Sequence, residues 1–418
     1  MNYSTYQNKD LCKIRTITTF LTLKKNKTFW KDEIEKACNF CNELTKKFNE
    51  NNYEVQSIRI VTNAFAEYLD ISSLESAKAD LEILSNHLNT FANEGLRIRF
   101  AIGEAKTINE IELLPELIAS YGDLCNACVN VPINEYDILD NELIRHCSKA
   151  VQKISQLTPR GEGNFNFTVN FNCKTFIPYF PASYHDSKLE NSYVIGFETP
   201  DLLVHVLEEF NKNKEIKNHQ ELFSQYYKIM NQALQYHVNK VKDILDLYES
   251  EDENFSKDFK FVGIDSSAAP SKNCSSMTKV YELLGVPYFG AAGSVEVSSL
   301  LTKVFKGVEN LPLVGFSGLM LAVIEDLGLA KGTVKNNYDI RTLLTNSAVC
   351  GIGLDTVPIP GNTSIDKISA LMRDTGTMAF RLNKPLTVRL FPYPEKEAGE
   401  LTEYESDDLC NCAILEVP

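Results

Sequence analysis

The residues able to do chemistry gather in loops that follow short apolar runs. His185 stands between Tyr184 and Asp186 in IPYFPASYHDSK. An imidazole there can serve as a general acid or base near neutral pH, and the same position suits a hydrogen-bonded loop former. GIDSSAAPSKN ends an apolar run on Asp265, Ser266 and Ser267. An acid and two hydroxyls at a strand end fit a ligand or cation contact, or the cap of a following helix. VGFSGLMLAVIED closes on Glu325 and Asp326. Paired carboxylates can share a proton or bind a cation, but adjacent helical residues do not face each other, so at most one is expected in a site.

The densest cluster is SAVCGIGLDTVPIPGNTS, with Cys350, Gly351, Gly353 and Asp355 in a short span. Glycines there let backbone N–H groups approach an anion. Cys350 is the one thiol expected to be reactive, although no base or positive field is visible beside it. RLNKPLTVRL then brings Arg381, Lys384 and Arg389 together. In an acidic chain such a cluster suits a carboxylate or phosphate, or neutralises nearby acids. The expected catalytic set is therefore His185, Asp265, Cys350 and Asp355. The expected ligand-binding set is Tyr184, Ser266, Ser267, Gly351, Gly353, Arg381, Lys384 and Arg389. No metal site is assigned and the cofactor is left open; if a divalent cation is present, Asp265, Glu325 and Asp355 are its expected ligands. The pairs Cys38/Cys41 and Cys125/Cys128 have zinc-like spacing. The first lies on an apolar helical stripe and the second in a strand, where residues three apart point to opposite faces, so both read as buried thiols. Cys410 and Cys412 read the same way.

Charge excludes some partners. The 418 residues carry 42 Lys and Arg against 56 Asp and Glu, a formal charge of −14. That balance disfavours a sequence-independent nucleic-acid binder and docking on anionic membranes. The longest apolar run, Leu311–Ile324, is too short to span a bilayer and is broken by Pro312, Gly315 and Gly318. The first residues show no secretory signal, and eleven scattered cysteines, an odd number, read as reduced thiols, so a cytoplasmic protein is expected.

The elements that must position these loops alternate. Lys13–Leu23, Val55–Val61, Arg97–Ile102 and Leu124–Val131 read as strands. Trp30–Asn52, Ser72–Asn93, Leu113–Tyr121 and Leu139–Ile154 read as amphipathic helices between them. Such alternation predicts parallel sheet built from βαβ units. Asn164–Cys173, Tyr193–Phe197 and Phe259–Ile264 read as further strands. A helical stretch covers 200–248 with a break near Lys212–Asn218, and the acidic tail Glu249–Lys257 reads as an exposed loop. The chain divides into a first α/β half at about 13–160, a helical insertion at about 200–257 and a second half at about 258–418.

The blocks IRTITTFLTL, CNACVNV, IPYFPASYH, GIDSSAAPS, GFSGLMLAVIEDLGLA, AVCGIGLDTVPIPG and KPLTVRLFPYP resemble the domain-of-unknown-function-711 family, also called the uncharacterised pyruvate formate-lyase-like family. The resemblance runs from about Ile14 to the C-terminus. It implies a single large α/β barrel like that of the glycyl-radical enzymes, with about ten strands in two five-stranded halves and helices outside. It does not imply radical chemistry: the nearest thing to the Arg-Val-Cys/Ser-Gly-Tyr signature, Ala348–Ile352, lacks both Arg and Tyr. The expected function is a non-radical enzyme acting on a small anionic metabolite in the barrel lumen, with no glycyl radical. The alternative is a metabolite-binding or regulatory protein without turnover. Large α/β proteins of this kind are often symmetric dimers, so a homo-oligomer is expected.

Overall fold

A computed structural model describes residues 3–91, 97–212, 218–251 and 255–418. Nine strands form one mixed sheet: β1 Lys13–Leu21, β2 Ser57–Thr62, β3 Arg97–Glu104, β4 Asn126–Val131, β5 Phe167–Phe171, β6 Ser192–Glu198, β7 Lys260–Asp265, β8 Gly353–Pro360 and β9 Leu386–Tyr393. Their order is β7-β6-β1-β2-β3-β4-β5-β9-β8. Neighbours from β1 to β5 run parallel, as do β6/β7 and β8/β9. The joints β1/β6 and β5/β9 are antiparallel. The early βαβ reading therefore holds, with strand ends moved by two or three residues.

The resemblance implied about ten strands; among the described residues nine pair into the sheet. The segment Leu311–Ile324 does not run as a strand. Pro312 and the left-handed Gly315 and Ser317 (φ +63° and +40°) keep this segment from running as a strand. It makes single parallel bridges instead, Leu313 to Ile264 beside β7 and Ala322 to Asp355 in β8.

Helices flank the sheet: α1 Trp30–Glu50, α2 Leu74–Phe91, α3 Ile108–Tyr121, α4 Asn141–Leu157, α5 Pro200–Lys212, α6 His219–Glu251, α7 Phe255–Asp258, α8 Met277–Leu283, α9 Ser294–Lys306, α10 Leu327–Val334, α11 Ile340–Ser347 and α12 Ile365–Arg381. In α1 the stripe Ile34, Ala37, Cys38, Cys41, Leu44 and Phe48 is wholly buried against the sheet's outer face. None of the eleven cysteines is in a disulfide. The expected loop at Glu249–Lys257 is corrected: α6 continues to Glu251 and α7 spans 255–258, while 252–254 lie outside the described residues, as do 213–217 in the expected break and 92–93 at the end of the second expected helix. The buried stripe of α6 runs through Ile244, Leu245 and Tyr248, and the helix goes on past it to Glu251. No described helix is long and apolar enough to cross a membrane.

Both faces of the sheet are covered, as parallel strands require. Ile58 and Ile60 of β2 and Phe100 and Ile102 of β3 pack outward among the helices. The alternate positions Phe20, Val61, Ala101 and Val194 form a separate inner cluster with Phe180.

Candidate functional site

What fills the inner face is the segment Cys173–His185, between β5 and β6. From Ile177 to Ser183 it is buried, and the sheet takes up part of its hydrogen bonding, as a buried loop demands. The Pro178 carbonyl accepts from Thr18 Oγ1 (3.2 Å) and Arg59 Nη1 (3.0 Å), and Tyr179 Oη donates to the Phe197 carbonyl (3.1 Å). Ser183 Oγ ties the segment to itself through the carbonyls of Ile177 (2.6 Å) and Tyr179 (3.1 Å).

Around the tip of this finger lies a small cavity of about 50 Å³ whose wall holds Arg15, Arg59, Arg99 and Arg389 together with Glu325 and Asp355. The strands put them there by register. Arg59 of β2 and Arg99 of β3 are direct partners in adjacent parallel strands. Arg389 of β9 reaches two carboxylates: its Nε donates to Asp355 Oδ1 at 2.7 Å and its Nη2 to Glu325 Oε1. Phe165 lies within 5.1 Å of the guanidinium carbons of both Arg99 and Arg389, which holds those planes in place.

The four arginines differ in what neutralises them. Arg15 donates to Gln56 Oε1 (2.9 Å) and reaches Glu198 Oε2 (3.4 Å). Arg99 pairs with Asp123 (3.0 Å) and Asp408 (3.5 Å). Arg59 is 5% exposed and has no ion pair among the described residues, and its Nε has no acceptor. Its compensation is the Pro178 carbonyl and the rings of Tyr179 and Phe180, at 5.9 and 5.1 Å. Burial, then Arg99 and Arg15, push its pKa well below the usual guanidinium range. Glu325 is driven the other way: burial raises its pKa, Arg389 opposes and Asp355 adds to the rise.

Of the residues named from sequence, the structure brings Asp355 and Arg389 into this wall, with Glu325 beside them. Glu325 and Asp326 divide as neighbours on a chain must. Asp326 turns away and accepts from Ser276 Oγ, Met277 N (2.7 Å), Gly328 N (2.9 Å) and Leu329 N (3.1 Å), joining the starts of α8 and α10. Asp265 is also engaged by backbone, accepting from Phe316 N (2.7 Å), Ser317 N (3.0 Å) and Ser267 N (3.0 Å). Burial raises it to about 6 against those hydrogen bonds. Asp265 does not line the cavity, and no three His, Cys, Asp or Glu among the described residues gather to hold a metal.

The other candidates sit elsewhere. Ser266 Oγ donates to the Phe305 carbonyl (2.7 Å), and Ser267 Oγ accepts from Gly318 N (3.0 Å). Gly351 packs on Gly318 and donates to the Leu319 carbonyl (2.7 Å), while Gly353 (φ +99°) lets β8 lie close to Thr387. Cys350 is buried, its carbonyl accepting from Lys384 Nζ, which also reaches the Ser347 carbonyl (3.0 Å). Burial lowers the Lys384 pKa. Arg381 is exposed at the end of α12. Tyr184 donates to the Cys173 carbonyl (3.1 Å). His185 is buried beside Phe20 with neither ring nitrogen bonded, and burial holds it down at about 4.

Arg15, Arg59 and Arg99 were missed because each lies inside a strand rather than a loop. A signal existed: β1, β2 and β3 each carry an Ile-Arg pair, Ile14-Arg15, Ile58-Arg59 and Ile98-Arg99. Three arginines at inward positions of doubly buried strands call for a common partner.

The chain is 28% identical over 261 residues to a UPF0210 protein of Pyrobaculum aerophilum, covering 60% of this chain and 54% of that protein. It is 26% identical over 301 residues to one of Clostridium perfringens, covering 70% and 63%. A shorter stretch of 149 residues is 32% identical to one of Carboxydothermus hydrogenoformans, covering 35% and 33%. The chain thus spans less than two thirds of the length of these relatives. The family described as Uncharacterised ACR (DUF711) matches residues 6–405, nearly the whole chain including every wall residue named above, and the chain belongs to that family.

Proposed function

We propose that the protein is a non-radical enzyme that binds a small anionic metabolite in the arginine-lined cavity. The observation that carries this is Arg59, a buried guanidinium without a counter-ion beside a second arginine in register. Burying an unpaired charge costs several kcal/mol, and an anion in the cavity would relieve that cost. Glu325 and Asp355 share Arg389, and burial favours the protonated form of Glu325. A bound anion would then meet a proton donor, Glu325, on the wall.

We also infer that the sheet closes around this cavity as a barrel of the pyruvate formate-lyase type, with Cys173–His185 as a finger in its lumen. In support, Leu311–Ile324 touches both outer strands, β7 and β8, and the strands fall into two parallel groups of opposite direction. The absence of paired cysteines supports a reducing, cytoplasmic setting.

One observation favours a binding protein without turnover: among the described residues the wall includes no Ser, Cys or His nucleophile. Native mass spectrometry of gently purified protein tests the shared premise. A retained small anion, absent from Arg59→Gln, is the expected result, and a bare wild-type subunit that also ignores a panel of anions would overturn it. Glu325→Gln then separates the readings. An enzyme loses turnover of the identified anion at least 100-fold while still binding it, whereas wild-type protein that binds the anion and never converts it is a binding protein.

A further inference from the structure

We infer that the ligand of this cavity is a monoanion: a single carboxylate head on a short apolar body, not a phosphate and not a dicarboxylate. The inference rests on the anion-site reading above and narrows it by charge and by surface.

The charge balance is local. Arg15 is answered by Glu198, Arg97 and Arg99 share Asp123 and Asp408, and Arg389 is answered by Asp355 and Glu325. Arg59 alone makes no ion pair among the described residues. With five guanidiniums against five carboxylates the cluster is neutral as a whole, so the site suits the smallest charge that gives Arg59 a partner, a single one. A second charge on the ligand would face Asp355 and Glu325, whose own cation is already shared between them. Arg59 Nη1 is committed to the Pro178 carbonyl and Nε is enclosed, so Nη2 is the donor left for one oxygen of a carboxylate head.

The remaining wall supplies the second half of the recognition. Tyr179, Ala182, Ala269, Phe316, Met320 and Ile352 form one contiguous apolar cluster that opens onto the same cavity. A fully hydrated polar body would strip its water against these side chains without replacement hydrogen bonds, whereas methylene groups gain from the same burial.

The test is a set of NMR titrations of the whole wild-type chain with sodium acetate, propionate and butyrate, beside sodium succinate and inorganic phosphate, repeated on Arg59→Gln. Affinity is expected to rise about fourfold for each added methylene from acetate to butyrate, the ratio that burying one CH₂ gives. Succinate and phosphate are expected to bind at least tenfold more weakly than butyrate, and Arg59→Gln to abolish butyrate binding. Phosphate or succinate binding as tightly as butyrate, with loss in Arg59→Gln, would overturn the monoanion while leaving the anion site standing. Equal affinities along the acid series would overturn the apolar body. No binding by any probe, or binding indifferent to Arg59→Gln, would overturn both the inference and the reading beneath it. The wild-type series decides the ligand class even if the variant does not fold.

Discussion

Replacing Arg59 with methionine is expected to make the ligand-free protein slightly more stable. The unpaired guanidinium costs several kcal/mol to bury. Against that stand one charge-assisted hydrogen bond to the Pro178 carbonyl, about 2 kcal/mol, and two ring contacts of about 1 kcal/mol each. Arg99, its register partner, adds repulsion. The balance leaves about 1–2 kcal/mol unrelieved in the empty cavity. Methionine keeps much of the aliphatic stem and flexes to fill irregular space. The Pro178 carbonyl does not lose its last donor, because Thr18 Oγ1 remains on it at 3.2 Å. For a chain of this length the unfolding entropy is about 0.9 kcal/mol per kelvin, so a rise in Tm of about 1–2 °C is expected. Thermal unfolding of extensively dialysed Arg59→Met beside the wild type measures it. A fall of 3 °C or more would refute the reasoning: Arg59 would then be a structural anchor whose packing outweighs its charge, and its lack of a partner would say nothing about a ligand.

Three further perturbations probe the frame around the site. Asp326→Ala removes the acceptor shared by the starts of α8 and α10 and should cost about 3–5 kcal/mol, lowering Tm by about 3–6 °C; a change under 1 °C would mean that water replaces the carboxylate. Gly315→Ala places a Cβ 2.2 Å from Asp265 Oδ2 at φ +63°, and should cost about 2–4 kcal/mol by denaturant melt; an unchanged midpoint would show that this turn relaxes freely. His185→Gln tests burial through pH. The unfolded chain protonates this histidine below about 6.5 but the folded one only below about 4, so between those values the unfolded state binds more protons. The stability of wild type relative to the variant should be level above pH 6.5 and fall by about 1 kcal/mol per unit down to pH 4. A difference that stays flat across that window would mean that His185 titrates as freely folded as unfolded.

The sheet was legible because its strands and helices repeat local periodicities. Ile34, Cys38, Cys41 and Leu44 fall at helical spacing, and burial follows that spacing. The end of α6 misled because Glu249–Glu251 carries no apolar position to extend the stripe that ends at Tyr248, yet the helix runs on through it. Loops rich in glycine, serine and acid invited a functional reading, yet two of their acids, Asp265 and Asp326, serve backbone N–H groups of neighbouring turns. A loop's own hydrogen-bond needs compete with ligands for the same side chains, and local sequence does not say which wins.

The cavity was illegible for a reason that lies in geometry rather than in composition. Arg15, Arg59 and Arg99 are about forty residues apart along the chain; the register of β2 and β3 sets Arg59 beside Arg99, while Arg15 reaches the cavity from the start of β1, where Thr18 is the register partner of Arg59. Arg389 arrives from the opposite direction through the antiparallel joint of β9 with β5. A search for clustered chemistry therefore finds Arg389, Asp355 and Glu325 but passes over Arg15, Arg59 and Arg99, each flanked by isoleucine on one side and by Thr, Ile or Phe on the other. What marks them is position: an arginine at an inward site of a strand covered on both faces has no water to satisfy it. Where a partner exists within the fold, as for Arg389, such a residue is explained by structure. Where none exists, as for Arg59, stability alone gives no reason to keep the charge, and the same argument that predicts a more stable Arg59→Met predicts that the variant no longer binds its anion.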